Sequence, residues 1–263
     1  MSDEMSGVYA KAEEELVAEL RQEFLDDILE SLRNLDVSLD AARNERKSTE
    51  EVMTEVRRFA LSLRGQAANF GVRLIGTVAH RMEDYLASIK VLPTRGIDDL
   101  QVFVDMLIDI VEGRVASDAD SSQIVRGLPA KPGFDADDID VRDVEVMLVM
   151  HHGTATHFVE REMQACGYRV TNVTTTFEAL PLIVRTKPDM VLISAIMPEL
   201  TGIDLAIALA SMPATRNVPT ALITSLDPDD DYLKLLPAAV PVIKKGPSFG
   251  DDLADALSHL FIL

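Results

Sequence analysis

Residues 188–202 read PDMVLISAIMPELTG, and this stretch decides the fold of the second half of the chain. Met190–Ser194 is a short, unbroken apolar run, which is typical of a strand buried on both faces. Four further runs of strand length, apolar or β-branched, predict the other strands, at Val144–Met150, Tyr168–Val173, Val218–Thr224 and Val240–Ile243.

Helical stretches alternate with these strands. They lie at Thr156–Ala165, Phe177–Arg185, Ile203–Ser211, Asp229–Leu236 and Asp251–Phe261. Strands that alternate with helices form a parallel sheet covered on both faces. The pattern therefore predicts an α/β doubly wound, flavodoxin-like domain with a five-stranded parallel sheet over residues 144–263.

The first half of the chain has a helical period instead. Leu16, Leu20, Phe24, Ile28 and Leu32 recur at every fourth position, as on one face of a helix. Further helical stretches follow over residues 49–71, 72–89 and 97–113. Four helices with short connections predict an all-α up-and-down bundle over residues 1–114, so the chain is expected to be multidomain.

Residues 115–143 differ from both halves. They contain seven aspartates together with serine, glycine and proline. Few apolar side chains lie among them, and like charges repel each other, so we expect an exposed, flexible acidic linker.

Composition narrows the classes of function. The formal net charge is −19, from 44 acidic and 25 basic residues, which argues against a nucleic-acid ligand and against docking on an anionic membrane. The single cysteine, Cys166, excludes an intramolecular disulfide and fits a reducing compartment. No apolar run approaches the ~20 residues of a membrane-spanning helix, so we expect no membrane insertion and a cytoplasmic protein.

The second half resembles the bacterial response-regulator receiver (CheY-like) domains along its whole length. Pro188–Ile193 and Met197–Gly202 resemble the third strand of that family and the loop after it, and Val218–Ser225 resembles the fourth strand. The resemblance implies receiver switch positions at Thr224 and Lys245.

The same resemblance implies that the phosphoryl chemistry has been lost. Ser194 stands where the family carries its phosphoacceptor aspartate, and His151 and His152 stand where it carries the acidic pair that binds Mg²⁺. Magnesium prefers hard oxygen ligands, which two imidazoles and a hydroxyl do not supply. Neighbouring strand residues also point to opposite faces, so His151 and His152, with His157, are not expected to bind another metal. The site is thus expected to be a degenerate pocket without metal or cofactor.

The first half resembles histidine-phosphotransfer (HPt) domains, particularly the P1 domain of chemotaxis kinases, over residues 57–71 and 78–86. The resemblance implies that Leu61 occupies the phosphorylated-histidine position, with the family's basic residue at Arg64 and its glycine at Gly65. Residues three and four positions apart share one helix face. We therefore expect a docking face made of Leu61, Arg64, Gly65 and Ala68. His80 corresponds to a second histidine, which the family does not phosphorylate.

Two functions are compatible with these substitutions. The first is a non-catalytic adaptor or modulator of a bacterial two-component, possibly chemotaxis-like, phosphorelay, which binds histidine kinases, receivers or HPt proteins without accepting phosphoryl groups. The alternative is an active relay protein that uses atypical residues, His80 or Ser194. A third hypothesis is a small-anion sensor near Lys245, His151 and His152. None of the three implies an enzyme in the usual sense, and a homodimer stays open.

Overall fold

The computed structural model describes residues 2–87, 89–93, 95–131, 143–246 and 249–261. The chain divides into two compact units, Met1–Ala119 and Asp120–Leu263. None of the helices in the described ranges combines the length and the apolar character that crossing a bilayer requires.

Among its described residues, the first unit has four helices, as predicted. They are α1 (Ser2–Arg43), α2 (Thr49–Asn69), α3 (Arg73–Ala87) and α4 (Gly96–Val111). Ser48 begins α2 with a capping box, in which its side chain accepts from the Glu51 backbone N–H and the Glu51 carboxylate accepts from the Ser48 N–H. Gly71 takes a positive φ of 66° in the turn after α2.

The core of the first unit consists of buried apolar side chains, which form a stripe along each helix. In α1 the stripe is buried from Phe24 onward and includes Leu32 and Leu39, which are fully buried. Leu16 and Leu20 carry the same stripe toward the N-terminus, but both are exposed. The apolar period of α1 therefore extends beyond the bundle that it helps to form.

The second unit is a five-stranded parallel sheet covered by helices. Its elements are α5 (Ser121–Gly127), β1 (Glu145–Val149), α6 (Thr154–Ala165), β2 (Arg169–Val173), α7 (Thr176–Thr186), β3 (Met190–Ser194), α8 (Gly202–Ser211), β4 (Thr220–Thr224), β5 (Val242–Lys244) and α9 (Phe249–Phe261). The strand order is β2-β1-β3-β4-β5, which is the flavodoxin-like order of doubly wound sheets. The predicted fold class is confirmed, with strand ends within two residues of prediction.

The predicted crossover helix over Asp229–Leu236 is wrong. Only a single 3-10 turn forms there, at Leu233–Leu235. Aspartate side chains accept hydrogen bonds from nearby backbone N–H groups, Asp230 from Tyr232 and Asp227 from Asp229. Such local bonds give the backbone an alternative to the helix.

The predicted linker is wrong over its first half. Asp120 caps α5, and Ile124, Val125 and Leu128 are buried. Arg126 binds both carboxylate oxygens of Asp189 at 2.9 Å, 63 residues away in sequence.

A second arginine holds the end of this segment. Arg169 donates to the carbonyl oxygens of Val125 and Leu128 at 3.2 and 2.6 Å, and it pairs with Glu145. Residues 120–131 thus belong to the second unit. Their apolar and basic side chains contact partners far away in sequence, which local composition does not reveal. Residues 132–142 of the predicted linker lie outside the described residues.

Candidate functional site

The first candidate site is the outer face of α2. Val52, Val56, Ala60, Leu63 and Ala67 form the buried face of this helix. The positions between them therefore point outward, as the 3.6-residue period requires.

All members of the predicted docking face meet on this outer side. Leu61 is 56% exposed, Gly65 and Ala68 are exposed, and Arg64 is half-buried. A Cβ built on Gly65 would meet no atom within 4 Å. The domain's own packing therefore requires neither a leucine at 61 nor a glycine at 65.

Arg64 is held from the neighbouring helix. Its guanidinium lies 3.2 Å from the carboxylate of Glu83 on α3, with both side chains about one-third exposed. Such a half-exposed pair contributes little to stability. The pair does hold the arginine on the side of Leu61, at the position where the resemblance places the family's basic residue.

Sequence reasoning missed a larger feature of this surface. Residues 56–82 contain five arginines and no aspartate or glutamate, although the chain as a whole carries a net charge of −19. Arg58 and Arg73 are exposed, and Arg57 donates to the carbonyl oxygens of Leu86 and Ile89. A count of charge along the chain could have found it. Arg57, Arg58 and Arg64 thus lie within one turn of Leu61 on α2, in an otherwise acidic protein.

His80 does not reach this surface. It is 92% buried in α3, in a polar cluster with Thr77, Arg81 and Asp84, which are also buried. A buried imidazole cannot meet the phosphoryl group of a partner protein without opening of the bundle. The structure thus separates His80 from the docking face.

The second candidate site is the carboxyl edge of the sheet, where ligands bind in open α/β folds. Ser194 ends β3 and lies in register with Ile223 of β4, and Thr224 lies in register with Lys244 of β5. Ser194 is 94% buried, and its hydroxyl donates to the carbonyl of Ile196 at 3.3 Å. The hydroxyl is therefore buried inside the domain and is not exposed to solvent.

Helix α8 approaches Ser194 closely. A Cβ built on Gly202 would lie far inside van der Waals contact with the Ser194 carbonyl oxygen and would also crowd the Ile193 side chain. Thr201 caps the helix by a capping box with Asp204. Glycine at 202 is therefore required by close packing at this edge.

The two histidines follow β1 and are both exposed. The His151 carbonyl accepts from the Thr156 hydroxyl, and His152 Nδ1 lies 3.5 Å from the Asn172 amide nitrogen. Within the described ranges, no three histidine, cysteine, aspartate or glutamate side chains are grouped so that they could hold a metal ion.

The predicted switch positions lie on the neighbouring strands. The Thr224 hydroxyl is buried and accepts from the Leu226 N–H at 3.0 Å. The Lys245 N–H donates to the Thr224 carbonyl at 2.8 Å, and desolvation lowers the pKa of the Lys245 side chain. Lys244, which sequence reasoning did not single out, donates its ammonium to the Leu226 carbonyl. The hydroxyl and Lys244 thus both hold the loop after β4.

Comparison with known protein families gives a match for the first unit. The family model of the Hpt domain matches residues 19–113. No curated protein matches the chain.

Solved structures resemble the second unit. The signal receiver domain of a histidine kinase from Syntrophus aciditrophicus is 25% identical, with 45% of this chain and 90% of that chain covered and a TM-score of 0.41. The receiver domain of the Pseudomonas aeruginosa sensor histidine kinase PA1611 is 20% identical, with 45% and 98% covered and a TM-score of 0.40. The Vibrio cholerae chemotaxis response regulator CheY4 is 20% identical, with 44% and 98% covered and a TM-score of 0.39.

The helical unit with its Hpt match and the strand order of the second unit agree with the two resemblances found in the sequence. Both are signalling modules. The chain therefore carries an Hpt domain followed by a receiver-like domain, and it is a protein of two-component phosphorelay signalling.

Proposed function

We propose that this protein is a cytoplasmic, non-catalytic adaptor that binds a kinase, a receiver or another Hpt protein of its pathway without accepting a phosphoryl group. The observation that carries the proposal is Leu61, which lies exposed at the centre of the docking face. A leucine side chain has no nucleophilic atom that could accept a phosphoryl group.

The exposed leucine favours a surface that binds a partner over a site that has only lost its function. Fully covering an apolar side chain of this size contributes roughly 1.5–3 kcal/mol. Binding hot spots often combine such an apolar anchor with arginine, and Arg64 is fixed beside Leu61 by Glu83. The open space over Gly65 lets a partner's backbone come close.

Charge indicates the kind of partner. The arginines around the docking face favour an acidic surface, and an intact receiver presents its acceptor aspartate and magnesium-binding carboxylates at one edge. We therefore infer that an intact receiver is the preferred partner. The adaptor would then compete with an authentic phosphotransfer domain.

The receiver-like domain supports the non-catalytic part of the proposal. A serine needs an activating base to become a nucleophile. The Ser194 hydroxyl instead donates to a backbone carbonyl and is buried. With His151 and His152 in place of the acidic pair, the carboxylates that would bind Mg²⁺ are missing.

Leu61→Asp tests the docking face. A charge at the centre of the interface would have to be desolvated without a partner, so capture of an intact receiver from the same pathway should be lost. Val37→Asp is the matched control, since Val37 is 68% exposed on α1 and undergoes the same chemical change. Both variants should keep wild-type helical content. Unchanged capture by Leu61→Asp would remove the docking face.

Phosphotransfer separates the adaptor from the alternative, a relay through His80 or Ser194. The full chain is incubated with a labelled histidine kinase of its pathway, and also with acetyl phosphate. We expect no stable adduct on either residue. Label on His80 that disappears in His80→Gln, or label on Ser194 that disappears in Ser194→Ala, would establish the relay instead.

A further inference from the structure

A cavity of about 610 Å³ lies at one end of the helical unit. Its walls come from α1, the turn between α2 and α3, the end of α4 and the segment that follows α4, all of which belong to the first unit. Sites that bind small organic molecules have volumes of roughly 300–1,000 Å³. The cavity is separate from the docking face, because no residue of that face lines it.

Stacked aromatic rings hold the first wall in place. Phe24 of α1 and Phe70, which follows α2, stack with their ring centroids 4.2 Å apart. Arg21 lies about one turn before Phe24, and Leu25 is the next residue after it. The stacking therefore brings Arg21 and Leu25 beside the turn that leads into α3, where both line the cavity.

The chain after α4 folds back to form another wall. Gly113 takes a positive φ of 73°, and the backbone N–H groups of Arg114 and Val115 donate to the Asp109 carbonyl at 2.8 and 3.1 Å. Residues 115–118 then border the cavity. The Hpt match ends at residue 113, so this wall is built from sequence that the family model does not cover.

The lining combines apolar residues with a net positive charge. Its charged residues are Arg21, Arg73 and Asp118, so two cations and one anion leave a net charge of +1 in a protein whose own net charge is −19. The apolar residues of the lining are Leu25, Val72, Leu74, Ile75, Ile110 and Val115. A mostly apolar wall with a few charged groups is typical of sites for small organic ligands.

The stability of the bundle does not explain the two arginines. Both are exposed, and within the part of the chain that the structure describes neither side chain forms an ion pair or a hydrogen bond. Arg73 also stands in the first turn of α3, where the helix dipole disfavours a cation and no acidic residue accompanies it. An anion in the cavity would compensate both charges.

We propose that this cavity binds a small organic anion with an apolar body. A single carboxylate of the ligand meets Arg21 and Arg73, and its carbon chain lies against the apolar lining. Guanidinium groups bind carboxylates through charge-assisted hydrogen bonds, and one negative charge matches the net charge of the lining. The site does not depend on the adaptor function.

Titration of the full chain with octanoate, followed by NMR, tests the site. We expect saturable shifts of the backbone N–H signals of residues 71–75 and 113–118. Acetate, which has the carboxylate without the apolar body, should cause no saturable shift in the same concentration range. 1-Octanol, which has the apolar body without the charge, should bind at least about tenfold more weakly. Absence of saturable shifts with octanoate, shifts centred elsewhere, or equal binding of 1-octanol would overturn the proposal.

Three charge substitutions test the roles of the lining residues. Arg21→Gln and Arg73→Gln should each weaken octanoate binding by about tenfold, because each removes one charge-assisted contact. Arg46→Gln is the matched control, since it changes the net charge equally at an exposed arginine that does not line the cavity, and it should leave binding unchanged. Asp118→Asn should instead tighten binding by about threefold, because it removes the one negative charge of the lining. Equal weakening by all three arginine variants, or weaker binding by Asp118→Asn, would exclude the site.

Discussion

The docking face on α2 and the carboxyl edge of the receiver-like sheet each carry an atypical residue at the position where the resemblance places a phosphoryl acceptor, but the two residues have opposite surroundings. At the docking face the substituted residue, Leu61, is exposed, and the neighbouring Gly65 has open space above it. At the sheet edge the substituted residue, Ser194, is buried, and Gly202 is packed tightly against it. The first region is a surface that a partner can cover, and the second is part of the domain interior.

The largest difference between the two regions should appear when each glycine receives a methyl group. Gly202→Ala forces α8 away from the Ser194 carbonyl, so we expect a loss of at least about 1–3 kcal/mol in the free energy of unfolding of the second unit. Gly65→Ala adds a methyl group in open space inside a helix and should stabilise the first unit by about 0.5–1 kcal/mol. Urea unfolding of both variants measures the two values, and effects of the same sign would contradict the comparison.

Introducing the acceptor residue that each resemblance assigns should give the next largest difference. Ser194→Asp buries a carboxylate at a site without the acidic pair that would bind a compensating Mg²⁺, and we expect a cost of roughly 1–3 kcal/mol. Leu61→His places an imidazole on an exposed helix face and should change stability by less than about 0.5 kcal/mol. Thermal unfolding of the two variants checks this, and a neutral Ser194→Asp would show that the sheet edge is more open than its burial indicates.

Lys245 should show a smaller, pH-dependent effect. Desolvation lowers the pKa of its ammonium in the folded protein, so the unfolded chain binds its proton more tightly. Because Lys245 is exposed, solvent screens most of this effect. The charged lysine therefore costs only a little stability at neutral pH, and this cost disappears as the pH rises through the folded pKa to the unfolded value near 10.4. Lys245→Met should be slightly more stable than the wild type at pH 7, and the difference should shrink toward pH 10. A difference that grows with pH would contradict this.

The smallest expected effect is that of magnesium. The sheet edge offers imidazoles and hydroxyls where Mg²⁺ prefers carboxylate oxygens, so titration should shift no NMR signal of His151, His152 or Ser194 in a saturable manner. The same titration of Ser194→Asp should also leave the two histidines unshifted, because one carboxylate does not replace three. Saturable binding at millimolar concentration or tighter would show that the edge is still a metal site.

Several features of the molecule followed from local sequence. The run Met190–Ser194 and its four counterparts predicted the parallel sheet, because a strand buried on both faces must be apolar throughout. The four-residue spacing in α1 predicted the bundle in the same way. Leu61 and Ser194 could be singled out since they interrupt otherwise recognisable patterns.

Only the tertiary structure showed whether Leu61 and Ser194 are exposed or buried. Sequence reasoning could not distinguish an exposed Leu61 from a core leucine, because exposure depends on which side of α2 the other helices cover. It also missed α5, whose Arg126 finds Asp189 across 63 residues of chain. Local patterns report the period of an element, whereas the partner of a single side chain is set by residues far away in sequence that only folding brings together. The sequence by itself therefore determined two domains and singled out Leu61 and Ser194, and only the folded structure decided that the first residue lies on a surface and the second in an interior.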